Sequence, residues 1–154
     1  MDIRIANQND FDVIRHITQN TITEIYPHYY PQGVVEFFLS LHNDTAIKND
    51  IDKNKVYVVM LDDKIVATVT IDRNEINRLF VLPKYQKHGY GTQILNRIEK
   101  DIFEKYGVIQ LHAALPGKSL YLKRGYEFVE FRKREVNYQD WICIDILEKR
   151  KPCK

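Results

Sequence analysis

Twelve residues constrain the fold of this chain more than any other stretch: Val81-Leu82-Pro83-Lys84-Tyr85-Gln86-Lys87-His88-Gly89-Tyr90-Gly91-Thr92. A strand-like run from Glu75 to Leu82 is stopped by Pro83, which cannot continue a ladder. Two glycines follow, two positions apart. From Tyr90 to Tyr106 the apolar residues Ile94, Leu95, Ile98, Ile102 and Phe103 then recur with the period of an amphipathic helix. A strand, a glycine turn and a helix start make an anion cradle. Glycine lets backbone approach a ligand closely, and the first N–H groups of a helix have no partner of their own. Those amides and the positive end of the helix dipole suit a phosphate or pyrophosphate. Lys84, Lys87 and His88 add positive potential beside them.

Two familiar phosphate loops do not fit. A dinucleotide fingerprint needs a third glycine where Ile94 stands, and it belongs near the start of a βαβ unit. A Walker A loop ends in Gly-Lys-Ser/Thr, which is absent here.

The rest of the chain predicts one domain over residues 1–154, with 149–154 as a flexible tail. Ile3-Arg4-Ile5 alternates as a short strand. Asn9-Asp10 caps a helix whose face is Phe11, Ile14, Ile17, Thr21 and Ile25, ended by Pro27. The aromatic loop Tyr26 to Pro31 follows, then a helix over Val34 to Leu41 and a short one over Thr45 to Asp52. Lys55–Leu61 and Ile65–Ile71 read as a hairpin about Asp62-Asp63-Lys64, and Glu75–Leu82 as a third strand. After the long helix, capped by Gly107, come a strand Val108–Leu115, a short helix Lys118–Arg124 closed by Gly125, and strands Tyr126–Phe131 and Trp141–Leu147. The order β-α-α-β-β-β-α-β-α-β-β predicts an α/β fold of the α+β kind: a central mixed, mostly antiparallel sheet flanked by helices.

Composition narrows the class. With 154 residues, 44% hydrophobic and 29% charged, the chain is globular. No apolar run reaches membrane-helix length, the start Met1-Asp2-Ile3-Arg4 lacks a signal-peptide pattern, and two cysteines make no disulfide framework. The expected location is cytoplasmic. The five histidines show no metal-ligand spacing, so no metal is expected. Cys143, in an apolar strand, reads as packed, Trp141 as core or interface, and Arg132-Lys133-Arg134 as a solvated strand end. A net charge of +2 argues against nucleic acid. Met1 to Glu75 nevertheless carries 7 Lys/Arg and 12 Asp/Glu, whereas Ile76 to Lys154 carries 16 and 9. Such a split can draw an anionic partner to one half and a cationic one to the other.

Gln86-Lys87-His88-Gly89-Tyr90-Gly91 after its strand resembles the Gln/Arg-x-x-Gly-x-Gly/Ala acyl-CoA loop of the GNAT superfamily of N-acetyltransferases. Leu120-Tyr121-x-x-x-Gly125-Tyr126 resembles that family's closing helix and strand, and the element order covers about Met1 to Leu147. The resemblance implies acetyl-CoA as co-substrate, with Gln86, Lys87, His88, Gly89, Tyr90, Gly91 and Thr92 at its pyrophosphate. It implies that the backbone of Leu79, Phe80 and Val81 pairs with the pantetheine arm, and that Val81 N–H faces the thioester carbonyl. Tyr121 matches the tyrosine that protonates the departing thiolate. Glu75 stands where many members carry a general-base glutamate acting through water.

The resemblance has two gaps. Many members have an Asn seven residues before the tyrosine and an Ala four before it; this chain has Ala114 and Gly117. Lys118 or Ser119 is the expected replacement for the Asn contact. Ala67 also stands where a glycine is usual. The acceptor is expected to be a small-molecule or peptide amine, walled by Tyr26, Tyr29 and Tyr30, with Glu24 as a candidate for orienting its cation. Monomer and homodimer both stay open. The rival reading from another class is a non-catalytic acyl-CoA sensor of the same fold.

Overall fold

A computed structural model describes residues 1–153. Seven strands form one sheet in the order β1-β2-β3-β4-β5-β7-β6. They are β1 (Asp2–Ile5), β2 (Val56–Leu61), β3 (Lys64–Asp72), β4 (Glu75–Val81), β5 (Val108–Ala113), β6 (Glu127–Glu135) and β7 (Trp141–Arg150). Every neighbouring pair is antiparallel except β4 and β5, which run parallel. Five helices cover the faces: α1 (Phe11–Ile25), α2 (Gln32–Leu41), α3 (Asp44–Asp52), α4 (Tyr90–Tyr106) and α5 (Leu115–Lys123). The mixed sheet flanked by helices is the architecture anticipated, with α3 an element in its own right between α2 and β2. No helix among the described residues is long and apolar enough to cross a membrane.

The two faces carry separate cores. On one, Ile94, Leu95, Ile98 and Ile102 of α4 pack on Val59, Val66, Val69, Ile76, Ile109, Leu111 and Leu147. On the other, Ile17 and Ile22 of α1 meet Val34 and Phe38 of α2 over Phe80 and Ile142. Beside them Ile14, Ile47 and Ile51 seal α1 and α3 against Val56 and Val58. Burying these branched side chains, about 1.5–3 kcal/mol each, is what holds the helices to the sheet.

Several boundaries differ from expectation for local physical reasons. Asn7 caps the short turn Gln8–Asp10 that precedes α1: its carboxamide oxygen accepts from Asn9 N–H at 2.9 Å, while the Asp10 carboxylate accepts from Asn7 N–H at 2.9 Å. Asp10 stands at the N-cap position of α1 but makes no side-chain cap bond there, because Arg4 grips its carboxylate at 2.8 Å through both terminal nitrogens. α5 begins at Leu115 because Pro116 sits in its first turn, where its missing N–H costs nothing. β6 continues to Glu135, and β7 continues to Arg150, paired with Val108. Lys149 and Arg150, assigned to the flexible tail, therefore belong to the sheet. Cys143 is exposed rather than packed, and Trp141 is exposed and not in the core, because alternation along β7 turns both away from Ile142, which packs under α2.

Candidate active site

The site begins with a flaw in the sheet. β4 pairs with β5 only at Glu75↔Gln110 and Ile76↔Leu111. The β3–β4 register runs Ile71↔Ile76 and then Thr70↔Arg78, which makes Asn77 the extra residue of a bulge. A bulge bends and twists its strand, and beyond it β4 parts from β5. Leu82 N–H donates to Val66 C=O at 3.0 Å, so it is Arg78, Phe80 and Leu82 that exchange bonds with β3. The alternate residues Leu79 and Val81 turn their N–H and C=O groups toward the gap. From that side Gln86 Nε2 donates to Val81 C=O at 2.8 Å.

The loop past β4 is built to present amides. Lys87 and Gly89 both take left-handed backbone, at φ 61 and 82. Gly89 caps α4, and Gln93 N–H is the first to find its carbonyl, at 3.1 Å. The N–H groups of Tyr90, Gly91 and Thr92 precede that bond and lack helical partners. A cleft of about 620 Å³ lies between the open strand edge, this loop, α5 and the α1–α2 connection, and Gln86, Lys87, Gly89, Gly91 and Thr92 line it at this end. His88 and Tyr90 do not: their rings stack at 6.2 Å, and His88 Nδ1 lies 2.6 Å from the Gln86 carbonyl. Those two side chains stiffen the loop.

Tyr121 lines the middle of the cleft with Leu120 and Ser119. Its ring lies back over Gly117, where a Cβ would stand 3.1 Å from Tyr121 Cε2, as a helical side chain pointing toward the N-terminus should. It meets the Tyr126 ring edge-on at 5.6 Å. Burial, and secondarily the charge of Glu99, push the Tyr121 hydroxyl up to about 12, so it keeps its proton. Glu99 is buried on α4, held by Arg124 at 2.9 and 2.8 Å and by Lys149 at 2.8 Å. Lys118, expected at the cofactor, is not among the cleft residues; its ammonium is paired with Asp145 on β7. Ser119, the other candidate, does line the cleft.

The far end is aromatic. Tyr26, Tyr29, Phe38 and Phe80 line it, with Tyr26 and Phe38 edge-to-face at 4.9 Å. Tyr30 is a strut instead, its hydroxyl accepting from Leu115 N–H at 2.7 Å and so tying the α1–α2 connection to α5. Glu24 is exposed on α1 and stands outside the cleft. Glu75 does not reach the cleft either; its Oε1 lies 3.6 Å from Nε2 of His112, which does.

Polar residues that the sequence reading did not place at a site also line the cleft: Thr21, His42, Asn77, Arg78 and His112. Arg78 donates to Thr70 Oγ1 at 3.1 Å and pairs with Asp50, and burial lowers it to about 10. Burial, then the Arg78 charge, pull His42 down to about 3, leaving it neutral. An arginine within the apolar run of β4 was the one local signal for this group.

The sequence from residue 25 to 143 matches the family model described as an acetyltransferase (GNAT) domain. That span is well over half of the chain, and the chain belongs to the GNAT acetyltransferase family. No curated protein matches it. Among solved structures it is similar to a GCN5-related N-acetyltransferase from Rhodopseudomonas palustris, with TM-score 0.87, 17% identity, and 97% of this chain and 95% of that one covered. It is also similar to the PaiA N-acetyltransferase of Thermoplasma acidophilum, solved with coenzyme A, at TM-score 0.75, 19% identity and 97% and 98% coverage. A third is YncA of Salmonella typhimurium, a putative acetyltransferase solved with acetyl-CoA, at TM-score 0.69, 14% identity and 97% and 93% coverage.

Proposed function

We propose that this chain transfers the acetyl group of acetyl-CoA to a primary amine by direct attack in a ternary complex. The observation that carries the reading is the adjacency of two backbone rows: the gap-facing groups of Leu79 with the N–H of Val81, whose carbonyl already accepts from Gln86, and the free amides of Tyr90, Gly91 and Thr92. An extended arm with amides of its own can pair with the first row while a diphosphate sits on the second. Lys87 and the dipole of α4 supply positive charge there.

Acetyl-CoA brings an activated thioester; the residues do the rest. Val81 N–H is aimed at the developing oxyanion, a donor of a kind typically worth about 2.7–4 kcal/mol. Tyr121 donates its hydroxyl proton to the departing sulfur. The aromatic end holds the amine against the thioester, and contact of this kind supplies much of the acceleration. The charge split along the sequence supports the same orientation, with the anionic co-substrate on the basic half and a cationic amine arriving past the acidic N-terminal helices.

Thiol release from acetyl-CoA across a panel of small amines, amino acids and a free-N-terminus peptide tests the reading. Release with at least one amine is expected. Binding of acetyl-CoA without release by any of them identifies a sensor instead.

A further inference from the structure

Resting on that reading, we infer that His112 is the proton acceptor for the amine and that Glu75 acts behind it as a positioning residue. Thioester aminolysis needs the amine unprotonated, so an ammonium acceptor must first surrender a proton. Among the described residues that line the cleft, the side chains able to take one near neutral pH are few. Burial lowers His42 to about 3 and gives it Arg78 as a neighbour, so it does not accept. Tyr121 is held protonated, and Tyr26 is raised by burial and by Tyr30 and Tyr121. Lys87, Lys123 and Arg78 are cations. His112 remains; it lines the cleft and its side chain is about 40% exposed.

The parallel β4–β5 pairing sets the arrangement. Because Ile76 pairs with Leu111, His112 is the first residue of β5 past the last rung, where the two strands begin to part. Its side chain therefore stands at the inner corner of the gap, level with Asn77 of the bulge. Glu75 lies at the closed end of that corner, 3.6 Å from His112 Nε2. Asn77 and Arg78 come from β4, Tyr26 from the α1–α2 connection and His42 from the end of α2; Glu75 is the only carboxylate among the groups named here. Glu75 stands 3.6 Å from Nε2, just beyond hydrogen-bond length, and as the neighbouring carboxylate it favours a proton on that nitrogen, which leaves Nδ1 as the acceptor.

The protons balance without any further reagent. His112 takes one N–H proton of the ammonium and later returns it to water. The freed nitrogen lone pair forms the C–N bond, the C–S bond breaks with its electron pair leaving on sulfur, and the second nitrogen proton ends on the thiol at Tyr121.

Two amines separate this role from a structural one. At pH 7.5 n-butylamine is almost wholly ammonium, whereas hydroxylamine is already unprotonated. With His112→Gln, kcat/KM for n-butylamine should fall at least about 100-fold, while hydroxylamine stays within about threefold and acetyl-CoA Kd within twofold. Glu75→Gln should lower the n-butylamine rate about tenfold, and the double variant should be no worse than His112→Gln, as expected of residues acting as one unit. Equal losses for both amines, or a wild-type pH–rate profile in His112→Gln, would overturn the assignment. So would a Glu75→Gln loss as large as expected for His112→Gln in an enzyme indifferent to His112→Gln.

The ¹⁵N imidazole shifts of His112 in the free protein give a readout that needs no acceptor. A neutral tautomer protonated on Nε2 is expected, and one protonated on Nδ1 would contradict the role. Wild-type protein that binds acetyl-CoA but acetylates neither amine counts against the transferase reading, and the tautomer still decides the histidine.

Discussion

Gln86 Nε2 donates to the carbonyl of Val81 at 2.8 Å, tying the first residue of the glycine loop to the last residue of β4. That bond fixes where the loop's amides sit relative to the strand edge. Gln86→Ala removes one donor and frees the loop, at a cost of about 1–1.4 kcal/mol. Acetyl-CoA Kd should rise about five- to tenfold by calorimetry, with the melting temperature nearly unchanged.

Tyr121→Phe keeps the ring that packs on Gly117 and Tyr126 and removes only the hydroxyl. kcat should fall roughly 100-fold, with acetyl-CoA Kd within twofold. The wild-type hydroxyl is raised to about 12 by burial and by Glu99. An acid works while protonated, so Tyr121 should give kcat no alkaline limb below about pH 12. An alkaline limb near pH 10 that vanished in Tyr121→Phe would contradict this.

At Gly33 a Cβ would stand 2.2 Å from the carbonyl oxygen of Asn137 and 2.8 Å from Asp140 Oδ2. Gly33 N–H also donates to that carboxylate at 2.9 Å, and Tyr138 OH donates to Glu36 at 3.2 Å. The β6–β7 turn, with Tyr138 and Gln139 both at φ 59, is thereby clasped to the helix that carries Phe38. Gly33→Ala meets backbone that cannot swing aside and should cost about 1–3 kcal/mol by urea unfolding. Acceptor KM should rise with it, while acetyl-CoA Kd holds.

Acid stability should fall in two stages. His42 is held near 3 when folded, against 6.5 ordinarily. Between those values the unfolded chain binds a proton the folded one does not, so stability drops as pH falls from 6.5. Burial pushes the Glu99 carboxyl up, but the bonds from Arg124 and Lys149 outweigh it and hold the group below 4.5. The stability from Glu99 is therefore complete above pH 4.5 and is lost as pH falls through the depressed folded value. Urea unfolding from pH 7 to 3.5 should show both stages, and His42→Phe should remove the first alone. Glu99→Ala, which leaves Arg124 and Lys149 half-buried without their partner, should cost about 3–5 kcal/mol at pH 7.

What the sequence made legible was local. Gly89, Gly91, the strand before them and the apolar period after them lie together between Glu75 and Tyr106, and each signal is a property of adjacent backbone. The α5 tyrosine was singled out through the resemblance of Leu120-Tyr121-x-x-x-Gly125-Tyr126, which is a local pattern as well. Lys118 was misplaced because its partner, Asp145, arrives from β7, a contact that no spacing announces.

Glu75 and His112 are 37 positions apart, and only the single parallel strand pair brings them together. The bulge at Asn77 opens the cleft, yet Asn77 looks like any polar strand residue. Long-range register therefore hid the corner of the cleft at Asn77 and His112, whereas turn chemistry exposed the glycine-loop end.

The central claim is that amides about Gly89 and Gly91 receive the diphosphate of acetyl-CoA, and titration calorimetry of the purified chain tests it most directly. The account predicts one saturable site, weakened about tenfold or more by Gly89→Ala, whose backbone must hold φ 82. No heat and no thermal shift at millimolar acetyl-CoA, or equal affinity in the Gly89→Ala variant, would contradict it.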